Sequence, residues 1–398
     1  MRTLAFILLW LYVFTLPWDY TLQFGDPIGS AGRVAGLLAL AGWLLLIGTH
    51  SRMRRPRVFH IAAAVYLAIV AASLFWTTDP ESTVQCVRSY VQSVMVVWVI
   101  WEVVDTQRAL FHLAIAYVGG ATVAAFSIFQ NFSLATVEAG AREARFAADN
   151  WDANDIALAL ALAIPLAFYI ASKRRYWITT CLALSYLVVG PMAILLTSSR
   201  GGIVVMAIAF FALPLFLKRQ SKTAKVMALI VLVCAGCVAF YYVPQQSWDR
   251  LSTVFDNLRA GDLNSRETIW QDGLRAFGSK YAVGVGAGAF QAGVGTFYNA
   301  HNTFLAVLVE QGVIGFSVFF VILACAVRGS VRALGEERWL SISLVVCWAI
   351  GVFTLGWATT RITWFVLALV VSFGSADKGR QSSELDLDGV TGFAVCAE

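Results

Sequence analysis

The chain has 398 residues, 59% of them hydrophobic and only 13% charged, with a net charge of +5 at pH 7 and a mean hydropathy of +0.72. Soluble globular proteins carry about 25% charged residues, so this composition excludes a soluble fold and leaves no soluble domain of ordinary size. The basic excess is accounted for by membrane anchors and gives no reason to expect nucleic acid as a partner.

In chain order, apolar runs predict twelve membrane-spanning helices, at roughly 4–20, 34–49, 58–76, 84–101, 109–132, 154–171, 176–197, 200–217, 226–243, 301–327, 339–357 and 361–375. Each approaches the ~17–25 residues that cross a hydrocarbon core. Runs this continuously apolar mean helices rather than a closed barrel. The first, Leu4–Trp18, has only Arg2 ahead of it and no small-residue cleavage pattern behind it, so it reads as a span and not as a signal peptide.

Alternate connections carry the basic residues: Arg52, Arg54, Arg55 and Arg57; Lys173, Arg174 and Arg175; Lys218, Arg219, Lys222 and Lys225; Arg328, Arg332 and Arg338. With Arg2, Arg108, Lys378 and Arg380, one side holds eighteen of the 29 Lys and Arg. The positive-inside rule makes that side cytoplasmic, together with both termini. The expected organisation is nine spans over 1–243, an outward segment at 244–300, three spans over 301–375, and a polar, disordered tail at 376–398.

No cysteine lies in an outward loop, so no disulfide framework is expected. Cys234 and Cys237 sit three apart, a C-x-x-C spacing, in an apolar run without nearby His or charge, and read as small core residues. The outward segments are Ser133–Ala153 and Pro244–Ala300. In the second, Trp248, Leu251, Val254, Phe255 and Leu258 repeat at helical spacing, as do Ile269, Trp270, Gly273, Leu274 and Phe277, which predicts two short amphipathic helices at the membrane surface. Ala260–Ser265 reads as a turn. The run Gly284–Phe290 is too rich in glycine for a span, and no strand precedes it as a dinucleotide fingerprint requires. It predicts a loop that lets backbone approach a ligand or another helix.

Removing the cytoplasmic anchors leaves eleven basic residues: Arg33, Arg88, Arg142, Arg145, Arg200, Arg250, Arg259, Arg266, Arg275, Lys280 and Arg361. All but one are Arg. Anchoring alone would accept Lys equally, whereas bidentate recognition of phosphate favours Arg. Arg200 stands in Thr197-Ser-Ser-Arg-Gly-Gly202 at the outer start of a span. Helix N–H groups, a positive dipole end and two glycines there make a diphosphate cradle; the alternative is an arginine snorkelling to headgroups. His301 is the one outward histidine, at the start of span ten. The helix dipole and neighbouring arginines favour its neutral form, which is competent as a general base; the alternative is a helix cap. His50, His60 and His112 fall at cytoplasmic ends, where packing suffices. Glu310 lies nine residues on, about 13 Å down the axis, and is expected to pair with a polar group as a structural carboxylate. Gly312 and Gly315 are expected to allow close helix contact.

Four places in order now resemble the O-antigen ligase/polymerase superfamily: Arg145-Phe146 followed by Asn154; Ser199-Arg200-Gly201-Gly202; Ser265-Arg266-Glu267-Thr268-Ile269-Trp270 with Gly284-Val-Gly286; and His301-Asn302 followed by Glu310, Gly312 and Gly315. The resemblance covers nearly the whole chain. It implies an all-α, C-type glycosyltransferase-like membrane fold with about twelve spans and a long periplasmic loop before helix ten. It also implies a bacterial inner-membrane enzyme that moves a glycan from undecaprenyl diphosphate to an acceptor hydroxyl on the periplasmic face. Under it, Arg200 and Arg266 bind the diphosphate and stabilise its leaving charge, and His301 activates the acceptor. Arg145, Gly201, Gly202 and Asn302 are further candidates for substrate binding, and Arg88 and Arg361 are candidates by location. The implied partners are the lipid-linked donor, a lipid A-core or glycan acceptor, and membrane lipids. No cofactor is implied, and no Asp-x-Asp or histidine cluster stands in an outward loop to hold a metal.

Two other readings stay open. A polymerase of the same superfamily would share the donor site and take a second sugar chain as acceptor. A transporter or flippase would predict repeated halves and broken midplane helices with buried charge; the sequence has no internal repeat, and its charges inside spans are few, chiefly Arg88 and Glu310.

Overall fold

The computed structural model describes residues 1–25, 29–50, 53–139, 145–218, 220–243, 245, 247–249, 252 and 266–375. The fold is helical throughout these residues. The helices are α1 (Arg2–Thr15), α2 (Ala31–His50), α3 (Val58–Ala72), α4 (Pro80–Val103), α5 (Gln107–Ala139), α6 (Ala153–Lys173), α7 (Trp177–Leu196), α8 (Arg200–Phe211), α9 (Leu213–Leu217), α10 (Lys222–Tyr242), α11 (Arg266–Ser279), α12 (Phe290–Val294), α13 (Thr303–Arg332), α14 (Gly335–Val352) and α15 (Arg361–Ser375). Each expected span overlaps helical residues, the 200–217 run being shared between two helices. Eight stretches among the described residues are long and apolar enough to cross a membrane, and Arg2–Trp18 and Arg361–Ser375 are shorter apolar helices. The tail at 376–398, the turn at Ala260–Ser265, most of the first amphipathic stretch, and Arg142, Arg250 and Arg259 lie outside the described residues.

α6 is the axis of the bundle. From Ile156 to Ile170 every residue is buried, and the helix packs against α5, α7, α8 and α14. Its alternating Ala and Leu let neighbours approach without voids, as closely packed membrane helices require. Leu37, Leu44, Ile61, Phe126 and Phe211 stand exposed on the outside of the bundle, the reverse of a water-soluble surface.

The basic anchors hold the opposite end from His301. The Arg54 guanidinium donates to the Trp101 and Val104 carbonyls (2.9 and 3.1 Å) and stacks over the Trp101 ring, closing the last turn of α4. Arg2 pairs with Asp105, and Lys173 pairs with both Glu336 and Glu337. His60 is buried, accepts from the Arg57 amide and tilts against Trp101, a packing role as expected.

Two spans depart from continuous helices. The 200–217 run divides into α8 and α9, with Pro214 beginning the second piece. More consequentially, α13 is interrupted at Gly312, which adopts φ 62°. In an unbroken helix the Val313 and Ile314 amides would donate to the Val309 and Glu310 carbonyls. Here the Gly-rich segment inserts its own main chain: Val285 and Gly286 donate to Val309 and Glu310 (both 3.0 Å), while Tyr281 and Ala282 accept from Val313 and Ile314 (2.9 and 3.2 Å). The Glu310 carboxylate accepts from the Gly288 amide at 2.8 Å, the structural pairing its position predicts. The far side of the segment is held by Trp76, Thr78 and Ser73, which bond to Val283, Val285 and Ala287. Gly284 is required here: its φ is +71°, and a Cβ would stand 2.4 Å from the Glu310 carbonyl carbon. Gly312 thus accommodates a loop rather than a neighbouring helix; a Cβ on it would meet the Ala282 carbonyl oxygen at 2.3 Å.

Candidate functional site

The expected site residues stand at helix starts because short polar side chains terminate the apolar runs there. Asp152 caps α6, with its side chain accepting from the Asn154 amide. Ser199 caps α8 by accepting from Gly202, and Asn302 caps α13 by accepting from Leu305. Arg266 is the first residue of α11. His301, in the left-handed region at φ 45°, immediately precedes the cap of α13. Each helix start presents free amides and a positive dipole end.

Hydrogen bonds tie these starts together. The Asn154 Oδ1 accepts both from Arg145 Nη2 (3.0 Å) and from Ser199 Oγ (3.0 Å), joining α6 to the cap of α8. The Thr303 hydroxyl donates to the Leu355 carbonyl and accepts from the Trp357 amide, both at 2.7 Å. Trp357 Nε1 then donates to Asp155 in the first turn of α6 at 2.8 Å. The loop between α14 and α15 therefore bridges α13 and α6. It also reaches α8, since a Cβ on Gly201 would meet Thr354 Oγ1 at 2.9 Å.

Arg200, Arg266 and His301 are half-buried, and none has a hydrogen-bond or ion-pair partner among the described residues. They share one electrostatic neighbourhood. Burial, then the Arg200 charge, lowers the Arg266 pKa. Burial, then Arg266, lowers the His301 pKa below its ordinary value, while Asp152 opposes the shift. Burial and Arg266 therefore favour the neutral form of His301, with Asp152 as the opposing charge within electrostatic reach. Arg200 and Arg266 are thus two cations within electrostatic reach of each other in a partly desolvated place, without partners among the described residues.

The remaining expected residues divide. Arg145 joins this group through Asn154 and Ser199. Gly202 serves packing, because a Cβ there would stand 2.4 Å from that of Ala157. Arg361 lies in a separate cluster, paired with Asp19 and donating to Gln92 Oε1 at 2.7 Å. Arg88 is exposed on α4 with no partner among the described residues. Sequence reasoning gave no role to Asp152, Asp155 or Trp357. The one available signal was the Asp152-x-Asn154-Asp155 string ahead of an apolar run, a helix-start pattern.

The fold defines a polytopic helical membrane protein, and Arg200, Arg266 and His301 gather at one end of its bundle. Residues 185–320, about a third of the chain, match the family model described as O-antigen ligase. The match supports the O-antigen ligase superfamily for this chain, and it spans Arg200, Arg266, the inserted glycine segment and His301. A comparison with curated proteins finds no match.

Proposed function

We propose that this protein is an inner-membrane glycosyltransferase that moves a glycan from undecaprenyl diphosphate to the hydroxyl of a lipid A-core acceptor, as an O-antigen ligase does. The proposed topology has twelve spans, both termini in the cytoplasm and the site facing the periplasm. The observation that carries the reading is the grouping of Arg200, Arg266 and His301, two cations and one imidazole held towards its neutral form, without partners among the described residues, at helix starts.

The acceptor hydroxyl oxygen attacks the anomeric carbon, and the bond from that carbon to the diphosphate oxygen breaks. The electron pair leaves on the diphosphate, where Arg200 and Arg266 meet the developing charge without metal. The hydroxyl proton passes to His301. Asp152 favours the imidazolium that results. A single displacement inverts the anomeric centre.

The test uses purified protein with lipid-diphosphate glycan and core acceptor, comparing wild type with His301→Ala and Arg266→Ala. Full activity in either variant removes that residue from the mechanism. Lipopolysaccharide from a deletion strain separates ligation from polymerisation. Core lipid without any O-antigen supports ligation, whereas core carrying single units indicates a polymerase.

A further inference from the structure

The His301 imidazole has no hydrogen-bond partner among the described residues, so its place is set by its backbone. That backbone lies in the left-handed region, at φ 45°, which a non-glycine residue keeps where its surroundings enforce it. Two tryptophans bear on it, one from each flank. Before the histidine, Trp270 Nε1 donates to the Ala300 carbonyl at 2.9 Å. Trp270 lies four residues after Arg266 in α11, on the same helix face. After the histidine, the Thr303 hydroxyl accepts from the Trp357 amide at 2.7 Å, and Trp357 Nε1 donates to Asp155 at 2.8 Å. Asp155 lies one turn after Asp152, the cap of α6.

These links act closer to His301 than the splice at Gly312, which lies eleven residues further along the chain. Both are anchored in packed structure. Trp357 is fully buried, its carbonyl accepts from Thr363 Oγ1 at 2.8 Å, and Trp348 Nε1 donates to that hydroxyl at 3.0 Å. Ala300 is buried, and α11 packs on α13 with Gly273 against Phe290 and Leu305. An indole N–H only donates, so each ring makes its bond in one direction. Trp270 leads to the helix that carries Arg266, and Trp357 leads to the turn that carries Asp152. Those two charges, with Arg200 acting on Arg266 from the start of α8, are the ones that reach the imidazole.

We propose that Trp270 and Trp357 are positioning residues for His301. The first ties its backbone to the Arg266 helix, and the second, through Asp155, ties it to the Asp152 turn. Together they set the distance of the imidazole from the cation and from the carboxylate that act on it. Neither indole touches a reacting atom. The assignment rests on the proposed transfer reaction and adds to it the parts that hold its base in place. Asp155 serves as an acceptor, so an amide oxygen in its place does the same and a hydrocarbon does not.

The experiment uses the full chain in nanodiscs with lipid-diphosphate glycan and core acceptor, and reads kcat, both KM values and the melting temperature. Trp270→Phe and Trp357→Phe each remove an indole N–H. Both are expected to lower kcat roughly 10–10²-fold per folded molecule, with both KM values unchanged. Because Trp357 is buried, Asp155→Leu removes the same bond from its other end and is expected to give the same loss. Asp155→Asn keeps the acceptor and is expected to restore most of the rate. The second arm follows the titration of His301 by NMR with isotope-labelled histidine, its signal assigned with His301→Gln. Trp270→Phe loosens His301 from Arg266, which lowers its pKa, so the midpoint should rise. Trp357→Phe and Asp155→Leu loosen it from Asp152, which opposes that lowering, so the midpoint should fall. A purely structural role would cost melting temperature and leave kcat per folded molecule and the midpoints where they are. That result, midpoint shifts of one sign in all variants, or Asp155→Asn as impaired as Asp155→Leu overturns the inference. Absence of transfer by the wild-type protein sinks the glycosyltransferase reading instead, and the midpoints still decide whether the indoles position His301.

Discussion

The two ends of the bundle use the same residue types differently. At one end Arg2, Arg54 and Lys173 are all engaged, by Asp105, by the last carbonyls of α4, and by Glu336 with Glu337. At the other end Arg200, Arg266 and His301 are half-buried without partners among the described residues. The engaged groups close helix ends and hold elements together. Those left open keep their hydrogen-bonding capacity for something that arrives. In a membrane protein full of basic anchors, residue identity separates these classes poorly, and accounting for each side chain's partners separates them well.

Removing members of the open set gives the largest effects. His301→Ala is expected to lower transfer by roughly 10²–10⁴-fold with an unchanged melting temperature, measured by turnover of lipid-linked glycan alongside thermal unfolding in detergent. Arg200→Ala or Arg266→Ala is expected to cost roughly 10²–10³-fold in rate. Lys at either position should recover only part of it, because a point charge replaces a planar fork. Equal activity of the Lys and Arg proteins would remove the bidentate role.

The engaged set should behave the opposite way. Arg54→Ala is expected to destabilise the fold by about 1–2 kcal/mol, a figure discounted for its partial exposure, while the rate per folded molecule stays unchanged. A rate loss without destabilisation would break the comparison.

The smallest effect is on pH dependence. His301 acts as a base only when neutral, so activity should fall as acid protonates it. Burial and Arg266 lower its pKa, which places that fall below the ordinary imidazole value of about 6.5. Arg266→Gln removes one cause of the depression and should move the acid limb to higher pH in the residual activity. Asp152→Asn removes the opposing influence and should move it lower. An acid limb unmoved by both substitutions would detach the imidazole from the profile.

The elements that declared themselves in the sequence did so through side chains. Long apolar runs marked the helices, and arginine or histidine beside a short capping residue marked the site at Ser199-Arg200 and His301-Asn302. The break in α13 stayed hidden, because its bonds at Val309, Glu310, Val313 and Ile314 are main-chain bonds that any residues could make. The glycines at 284, 286 and 312 signalled close backbone approach without naming what approached. Asp155 and Trp357 are 202 positions apart, and no local pattern pairs a tryptophan after one span with an aspartate at the start of another. Arg361 showed the limit of argument from position: its side of the bundle fitted the anion site, and its guanidinium was already taken by Asp19.

The splice at Gly312 has a mechanical meaning. Two rungs that α13 lacks are replaced by four bonds to the chain just ahead of His301, so the histidine is tethered on both flanks to one stiff joint. Any swing of the 266–300 arm large enough to admit a bulky sugar chain must either unzip those rungs or drag α13 with it. His301, the proposed base, is thereby kept in register with the transmembrane scaffold.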